Sequence, residues 1–435
     1  MKHKLSLKSS VKSVLFFMMV FFYYTESQAQ NQNLPQRIMI NPLESGHTGV
    51  AITWRNLNPD NEQYIQWTEA HPHPVKMEAE ADSKRKDHAA VYHEQKAMSR
   101  TDTVDYKGVE SYVTSCRVAL TGLTPGEMYM YRVGGHAGGW SEWIQFTMSP
   151  GHPDSTLTFI YLGDPQNDLR SQWSRVIRES YKTAPHSDFI MYAGDLVDNG
   201  YNDAEWKDWY EAGSFIHRMI PSISTPGNHE YTDVILTPLW RSHFELPANG
   251  PEGIKALEGA CFYIDYPAVR VISLDGEQID ENPEYRLAMV NWLRNLLEET
   301  TQKWVVMTMH YPFFHTNPRR NNPKLRKAFK PLVDEYGVDL ILQGHDHGYG
   351  RGMLDEIADG PSTQGTMYVV SLSGPKVYEV GHDKWMQKRG ENIQLYQVIE
   401  IEGDELHYKA YTTDGELFDS FTLEKLEKGS RLVEK

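Results

Sequence analysis

The chain has 435 residues, enough for two or more domains and a substantial core. Apolar residues make up 40% and charged residues 23%, an ordinary globular balance that demands no disordered segment. The formal charge of −16 argues against nucleic-acid binding, which needs a cationic surface to release counterions. It does not exclude anionic substrates, because bound metal ions reverse the local potential.

Residues 1–29 read as a secretory signal. Lys2, Lys4, Lys8 and Lys12 precede an apolar run from Val14 to Phe22, and Ser27-Gln28-Ala29 offers small residues for cleavage. The run is shorter than the roughly 20 residues that span a bilayer. The expectation is an exported chain, secreted or periplasmic, with no membrane span after cleavage. Cys116 and Cys261 fall in different expected domains and lack CxxC neighbours. They read as two buried thiols, although export also allows one disulfide.

Residues 34–148 show short alternating strands and turn residues, the pattern of a β-sandwich. Val50–Trp54, Tyr64–Trp67, Ser111–Val118, Tyr129–Val133 and Trp143–Phe146 are the strand-like runs. The stretch Leu120 to Val133, with its Leu-Thr-Pro-Gly turn, resembles fibronectin type III-like domains. A polar insertion at 70–108, carrying His71, His73, His88 and His93, reads as an exposed loop, because its histidines lack a ligand pattern. Residues 149–154 read as a linker.

From residue 155 to 425 the pattern becomes strand, loop, helix. Leu157–Leu162 is a buried strand ending in Gly163-Asp164-Pro165-Gln166, and a helix follows at 169–182 through Trp173, Ile177 and Tyr181. Ile190–Ala193 ends in Gly194-Asp195-Leu196-Val197-Asp198, with a helix through Trp206, Trp209 and Phe215. Met219–Ser224 leads into Gly227-Asn228-His229-Glu230. A hairpin at 262–275 precedes a helix at 284–299, whose expected buried side is Leu287, Trp292, Leu293 and Leu296. Trp304–Met309 ends in His310-Tyr311-Pro312, and a helix through Leu325, Phe329 and Leu332 follows. Val338–Gln343 ends in Gly344-His345-Asp346-His347, before late strands at Met367–Leu372 and 394–412. The order predicts an α/β domain with a two-layered β core flanked by helices.

Five strand ends therefore present Asp164, Asp195, Asn228 with His229, His310, and His345 with His347. Singly each is weak. Together they supply oxygen and imidazole donors at equivalent positions, as a two-metal site requires.

This ordered set resembles the calcineurin-like metallophosphoesterases and, with the sandwich in front, their purple acid phosphatase branch. The resemblance implies a phosphoric ester hydrolase acting on a phosphorylated small molecule, most simply a phosphomonoester. A phosphodiesterase shares the same centre, and an inactive glycan- or protein-binding module is the alternative from another class. Two divalent or mixed-valence metal ions (Zn, Mn, Fe or Mg) are implied, with Asp195 between them. Asp164 and His347 would hold one ion; Asn228, His310 and His345 would hold the other. His229 is implied as the group that protonates the leaving oxygen or positions the phosphate, with Glu230 or another carboxylate orienting its other ring nitrogen. No oligomeric state is implied.

The chain departs from the purple acid phosphatases at two positions. Asp198 stands where that branch has a tyrosine ligand, and reads as an acceptor beside the site rather than a ligand. Without tyrosinate, a ferric ion loses its main support. Gln166 stands where related enzymes have glycine or histidine; it could offer an amide oxygen, orient water or make a loop hydrogen bond. His315 would reach the phosphate or lie on the surface. Tyr349 and Arg351 are implied as active-site wall. Arg319, Arg320, Lys324, Arg326 and Lys327 read as a solvated helix face.

Overall fold

The alternating runs of the first third fold as two facing antiparallel sheets. One orders the strands Gln36–Pro42, Gly49–Asn56, Val109–Thr121 and Met98–Tyr106. The other orders His93–Lys96, Tyr64–Glu69, Met128–Gly135 and Gly139–Trp140, with Ile144–Thr147 also on Met128–Gly135. Ile38, Ile40, Ile52, Trp54, Val118, Tyr131, Val133 and Phe146 fill the space between them. This computed structural model describes residues 34–57, 62–72, 92–355 and 360–434. The signal reading of 1–29 and the histidines His73 and His88 lie outside those residues.

Part of the expected loop at 70–108 is strand instead. Met98–Tyr106 pairs along its length with Val109–Thr121, and the ring of His93 stacks on Trp67 with centroids 4.4 Å apart. Charged residues concealed this strand because it is a sheet edge, where polar side chains discourage pairing with other chains. Cys116 and Cys261 are free, buried thiols, which removes the disulfide option.

Buried charge joins the sandwich to the rest of the chain. Arg37 and Arg55 converge on Asp203 at 2.6 and 2.9 Å, at the start of the helix Asp203–Gly213. Asn41 Nδ2 also donates to the carbonyl of Ser222 at 2.7 Å, in the short strand that leads to Asn228.

The second unit is built on two sheets. The first runs Ser222–Ser224, Phe189–Tyr192, Leu157–Leu162, Leu395–Glu402, Glu405–Thr412, Leu417–Lys425 and Ser430–Val433. The second runs Phe262–Asp265, Val269–Ser273, Trp304–Met309, Leu340–Gln343 and Gln364–Val370, with Tyr349–Leu354 and Lys388–Gly390 on its margin. They join where Gln364 and Gly365 pair with Arg431 and Ser430, so the unit continues past the expected boundary at 425. Residues alternate between two cores. Val271, Val306, Leu342 and Val369 face the first sheet, while Ile272, Met307, Ile341 and Val370 face the helices Pro283–Glu298 and Pro323–Tyr336. Burial on both faces explains why these strands read as continuous apolar runs.

Two helix faces differ from expectation. Leu287 is 62% exposed, and the buried stripe is Met289, Leu293, Leu296 and Leu297, the i, i+4, i+7, i+8 spacing of one helix face. Phe215 lies beyond the end of the helix Asp203–Gly213 and is 46% exposed. The stretch at 169–182 opens with a π-helical turn, Leu169–Trp173, before the α-helix Ser174–Thr183.

One core residue ties stability to pH. His217 is fully buried, stacks on Trp209 at 4.1 Å between centroids and hydrogen-bonds to the Tyr192 hydroxyl at 3.0 Å. Burial lowers its pKa from 6.5 to about 3. The neutral ring is the one that fits, and the unfolded chain gains a proton first as pH falls. The stability is therefore complete above about 6.5 and is lost progressively between about 6.5 and about 3. Across that window the unfolding free energy read from urea titrations should fall by about 5 kcal/mol for this group. His217→Phe should flatten the dependence by close to one proton; an unchanged slope would refute the assignment.

Candidate metal centre

Each strand that carries a motif runs parallel to a neighbour, so their C-terminal ends share one side of the molecule. Leu157–Leu162, Phe189–Tyr192 and Ser222–Ser224 are mutually parallel, as are Trp304–Met309 and Leu340–Gln343. Asp164, Asp195 and Asn228 thus come from the first sheet, and His310, His345 and His347 from the second. They meet above the seam between the sheets, outside the carboxyl ends of the strands, where open α/β sheets gather ligands.

The turns that aim these side chains are unusual. Asp164, Asp195, His345 and His347 have φ of 45°, 50°, 72° and 48°, the left-handed region that non-glycine residues rarely adopt. The glycines beside them permit close approach. A Cβ on Gly227 would sit 2.2 Å from Asp195 Oδ1, and one on Gly194 would sit 2.6 Å from the Gly227 nitrogen. Glu230 locks the same turns from below. Its buried carboxylate accepts from the backbone N–H of Asp195, Leu196 and Gly227 at 3.0, 2.8 and 2.7 Å.

The donor atoms converge in two groups. Asp195, His310 and His345 form one, and Asp164, Asp195 and His347 the other, with the candidate ligand atoms of each group within 4.8 Å of one another. Asp195 belongs to both. Asn228 Oδ1 joins the first group, 3.1 Å from His310 Nε2, and His345 Nδ1 is also 3.1 Å from that nitrogen. Asp195 Oδ2 lies 3.2 Å from His310 Nε2, and Asp164 Oδ1 lies 3.5 Å from His347 Nε2.

The chemistry of this set fits metal ions. His310 Nδ1 hydrogen-bonds to the carbonyl of Ala193 at 2.8 Å, and His347 Nδ1 to that of Lys376 at 2.7 Å, which turns each Nε2 toward the carboxylates. The ring nitrogens of His310 and His345 face each other at 3.1 Å, where a cation could take the place of the proton they share. Burial, reinforced by His310, holds His345 well below the usual histidine range, and burial pushes His347 down to about 4. Both imidazoles are therefore neutral, as ligands must be. Burial raises Asp164 to about 8. Burial opposes ionisation of Asp195 too, but the charge of His310 and its hydrogen bond outweigh that and hold Asp195 below the carboxylate range. In turn burial opposes charge on His310, and the two carboxylates override it and raise His310 to about 10. Two buried carboxylates thus create a strong local demand for positive charge.

The remaining expected residues divide. Gln166 is in the site: its Nε2 donates to Asp195 Oδ2 at 2.8 Å and lies 3.1 Å from His347 Nε2. His229 is beside it, with Nε2 3.9 Å from Asp195 Oδ2 and Nδ1 donating to the backbone carbonyl of Asp198 at 2.6 Å. Glu230 does not orient that ring, because the short helical turn Asn228–Glu230 sends its side chain back beneath Asp195. The Asp198 side chain stays half exposed, 3.7 Å from His229 Nδ1.

His315 does not lie on the surface. It is buried, with Nδ1 3.0 Å from the Asp346 carboxylate, which also accepts from the backbone of Thr316 and Asn317. Tyr349 and Arg351 are not wall residues. They share one face of the strand Tyr349–Leu354 and bind Asp419, at 2.6 Å from the tyrosine hydroxyl and 2.9 and 3.1 Å from the guanidinium. The basic cluster is not a uniform solvated face either. Arg320 donates to the carbonyl of His345 at 2.6 Å and Arg326 to that of Phe313 at 2.7 Å, whereas Arg319 and Lys327 are exposed.

Three residues at the site have no role in the sequence reading. The Tyr311 ring lies 4.4 Å from that of His345, and its hydroxyl donates to Glu277 at 2.6 Å. On the other side, the ring of Tyr378 lies 4.6 Å from that of His347, next to Lys376. Tyr311 is the middle residue of His310-Tyr311-Pro312, whereas Lys376 and Tyr378 follow the turn Ser373-Gly374-Pro375, whose small residues are their one signal in the sequence.

With strand ends, donor groups and domain order in place, the class is defined. Residues 157–349 match the calcineurin-like phosphoesterase family. Residues 35–148 match the purple acid phosphatase N-terminal domain. A purple acid phosphatase from yellow lupin seeds superposes with a TM-score of 0.72 at 16% identity, covering 92% of this chain and 74% of that one, which establishes the shared fold. Acid phosphatase type 7 of Danio rerio is 27% identical over 266 residues, 54% of this chain and 57% of the relative. A phosphoenolpyruvate phosphatase of Allium cepa is 22% identical over 377 residues, 80% of this chain and 69% of the relative. The match thus spans little more than half of the Danio rerio protein. Among the described residues, no helix is long and apolar enough to cross a membrane.

Proposed function

We propose that this protein is an exported, metal-dependent phosphomonoesterase with a dinuclear centre. The observation that carries the reading is the membership of Asp195 in both donor groups. Asp164 and His347 would complete the site of one ion, and Asn228, His310 and His345 that of the other. When bound, two such ions supply charge neutralisation for the phosphoryl oxygens and lower the pKa of water. The Nδ1 hydrogen bonds of His310 and His347 keep their ligand nitrogens aimed. His229, its Nδ1 held by the Asp198 carbonyl, presents Nε2 to the substrate side and gives a proton to the leaving oxygen. Nitrogen and oxygen donors without tyrosinate suit zinc, manganese, magnesium or ferrous iron. The monoester preference is supported by the phosphatase names of the Danio rerio and Allium cepa relatives. Export rests on residues 1–29.

Metal analysis with paired assays tests this. The purified chain should hold about two metal ions and hydrolyse a chromogenic phosphomonoester faster than the matching diester. A diester rate far above the monoester rate would make it a phosphodiesterase. Fewer than about one ion per chain after reconstitution would favour a binding module.

A further inference from the structure

Lys376 approaches the metal centre from 212 residues beyond Asp164 in sequence. The turn after Gln364–Val370 lies directly on the Asp164 turn. Ser373 N and Gly374 N donate to the carbonyls of Gly163 and Asp164 at 2.6 and 3.0 Å. A Cβ on Gly374 would meet the Asp164 carbonyl oxygen at 2.3 Å, so the close approach requires glycine there. Two residues on, the Lys376 carbonyl accepts from His347 Nδ1 at 2.7 Å. The backbone of Lys376 is thereby tied to two ligand loops at once.

Its ammonium group is under-used. Gln166 Oε1 is 3.4 Å from Nζ, a long hydrogen bond, and Asp198 Oδ1 at 3.8 Å is beyond hydrogen-bond reach. The side chain is 31% exposed, and the Tyr378 ring centroid is 5.9 Å away. Three N–H donors are thus served by one weak acceptor, at a position separated from Asp195 and His347 by only the Gln166 amide. Arg320 is the other cation over the Tyr378 ring, but its guanidinium is committed to His345 and Asp346.

We infer that Lys376 binds a non-bridging oxygen of the substrate phosphoryl group and selects doubly charged monoesters over singly charged diesters. The inference rests on the phosphoesterase reading above and adds the residue that discriminates within it. A point charge on a flexible stem suits a phosphate whose oxygens change orientation during the reaction. The second negative charge of a monoester strengthens this contact more than any contact a diester offers. Gln166 then has a role of its own. It spaces the ammonium from the ligands and directs it toward solvent.

The test uses the full chain, metal-loaded, with Lys376→Gln and Lys376→Arg. Lys376→Gln should weaken binding of inorganic phosphate, measured by calorimetry, by about 10–100-fold, the loss of one charge-assisted hydrogen bond. KM for an aryl phosphomonoester should rise similarly, and the monoester-to-diester ratio of kcat/KM should fall at least about five-fold. Metal content should hold, and Lys376→Arg should recover most of the loss. Unchanged phosphate affinity, equal losses on both esters, or loss of metal in Lys376→Gln would each overturn the inference. If the unaltered metal-loaded chain hydrolyses neither ester, the phosphoesterase reading fails, and phosphate calorimetry alone then decides whether Lys376 binds the anion.

Discussion

Asp195→Asn is expected to lower metal content from about two ions per chain to below one and to bring phosphatase turnover to background. Asp195 is the only residue shared by the two donor groups, so its loss weakens both. Asparagine keeps the shape of the side chain and withdraws its charge, and it tolerates the left-handed backbone at φ 50°. The turn should survive, because Glu230 still holds the backbone N–H groups of residues 195 and 196. Elemental analysis and melting of the metal-free variant check this together. Metal should be lost while the chain still folds, with a lower metal-free melting temperature because His310 loses its paired carboxylate. Two retained ions at normal turnover would sink the bridging role.

His229→Ala should behave oppositely. Turnover should fall about 10²–10⁴-fold, the usual share of a general acid, with metal content intact. The truncation spares the donor groups: the backbone N–H of residue 229 still donates to Asp195 Oδ1 at 3.0 Å, and Asn228 is untouched. The loss should be greater for alkyl than for aryl phosphates, because a poor leaving group needs the proton most. A uniform loss across leaving groups would instead mark His229 as a phosphate-positioning residue, and an unchanged rate would remove it from the site.

The candidate ligands were legible because each follows an apolar strand, and parallel strands end on the same side. An alternating or apolar run followed by Gly-Asp or Gly-His states both the element and its tip. Residues that depend on a turn were not legible in that way. Glu230 follows His229 directly, yet one helical turn carries its carboxylate beneath Asp195 instead of to the imidazole. Tyr349 and Arg351 follow the last motif closely, but strand alternation points both at Asp419, a residue 70 positions from the tyrosine. His315 found a buried carboxylate, Asp346, that lies inside the Gly-His-Asp-His motif itself. Met98–Tyr106 was concealed by the polarity that suits an edge. Lys376 lies in a turn brought to the site only by tertiary folding, and no spacing within the motifs announces it.

The left-handed turns at Asp164, Asp195, His345 and His347 have a consequence for anyone engineering this protein. Each holds an L-residue in a conformation costing about 1–2 kcal/mol, which glycine would relieve. Laboratory evolution under thermal selection alone would therefore reward glycine at the positions where the ligands stand. Each such gain in melting temperature would remove a donor from the centre. A stabilisation campaign that leaves these four codons free to vary should drift toward robust, metal-free chains, and one that freezes them must find its gains elsewhere.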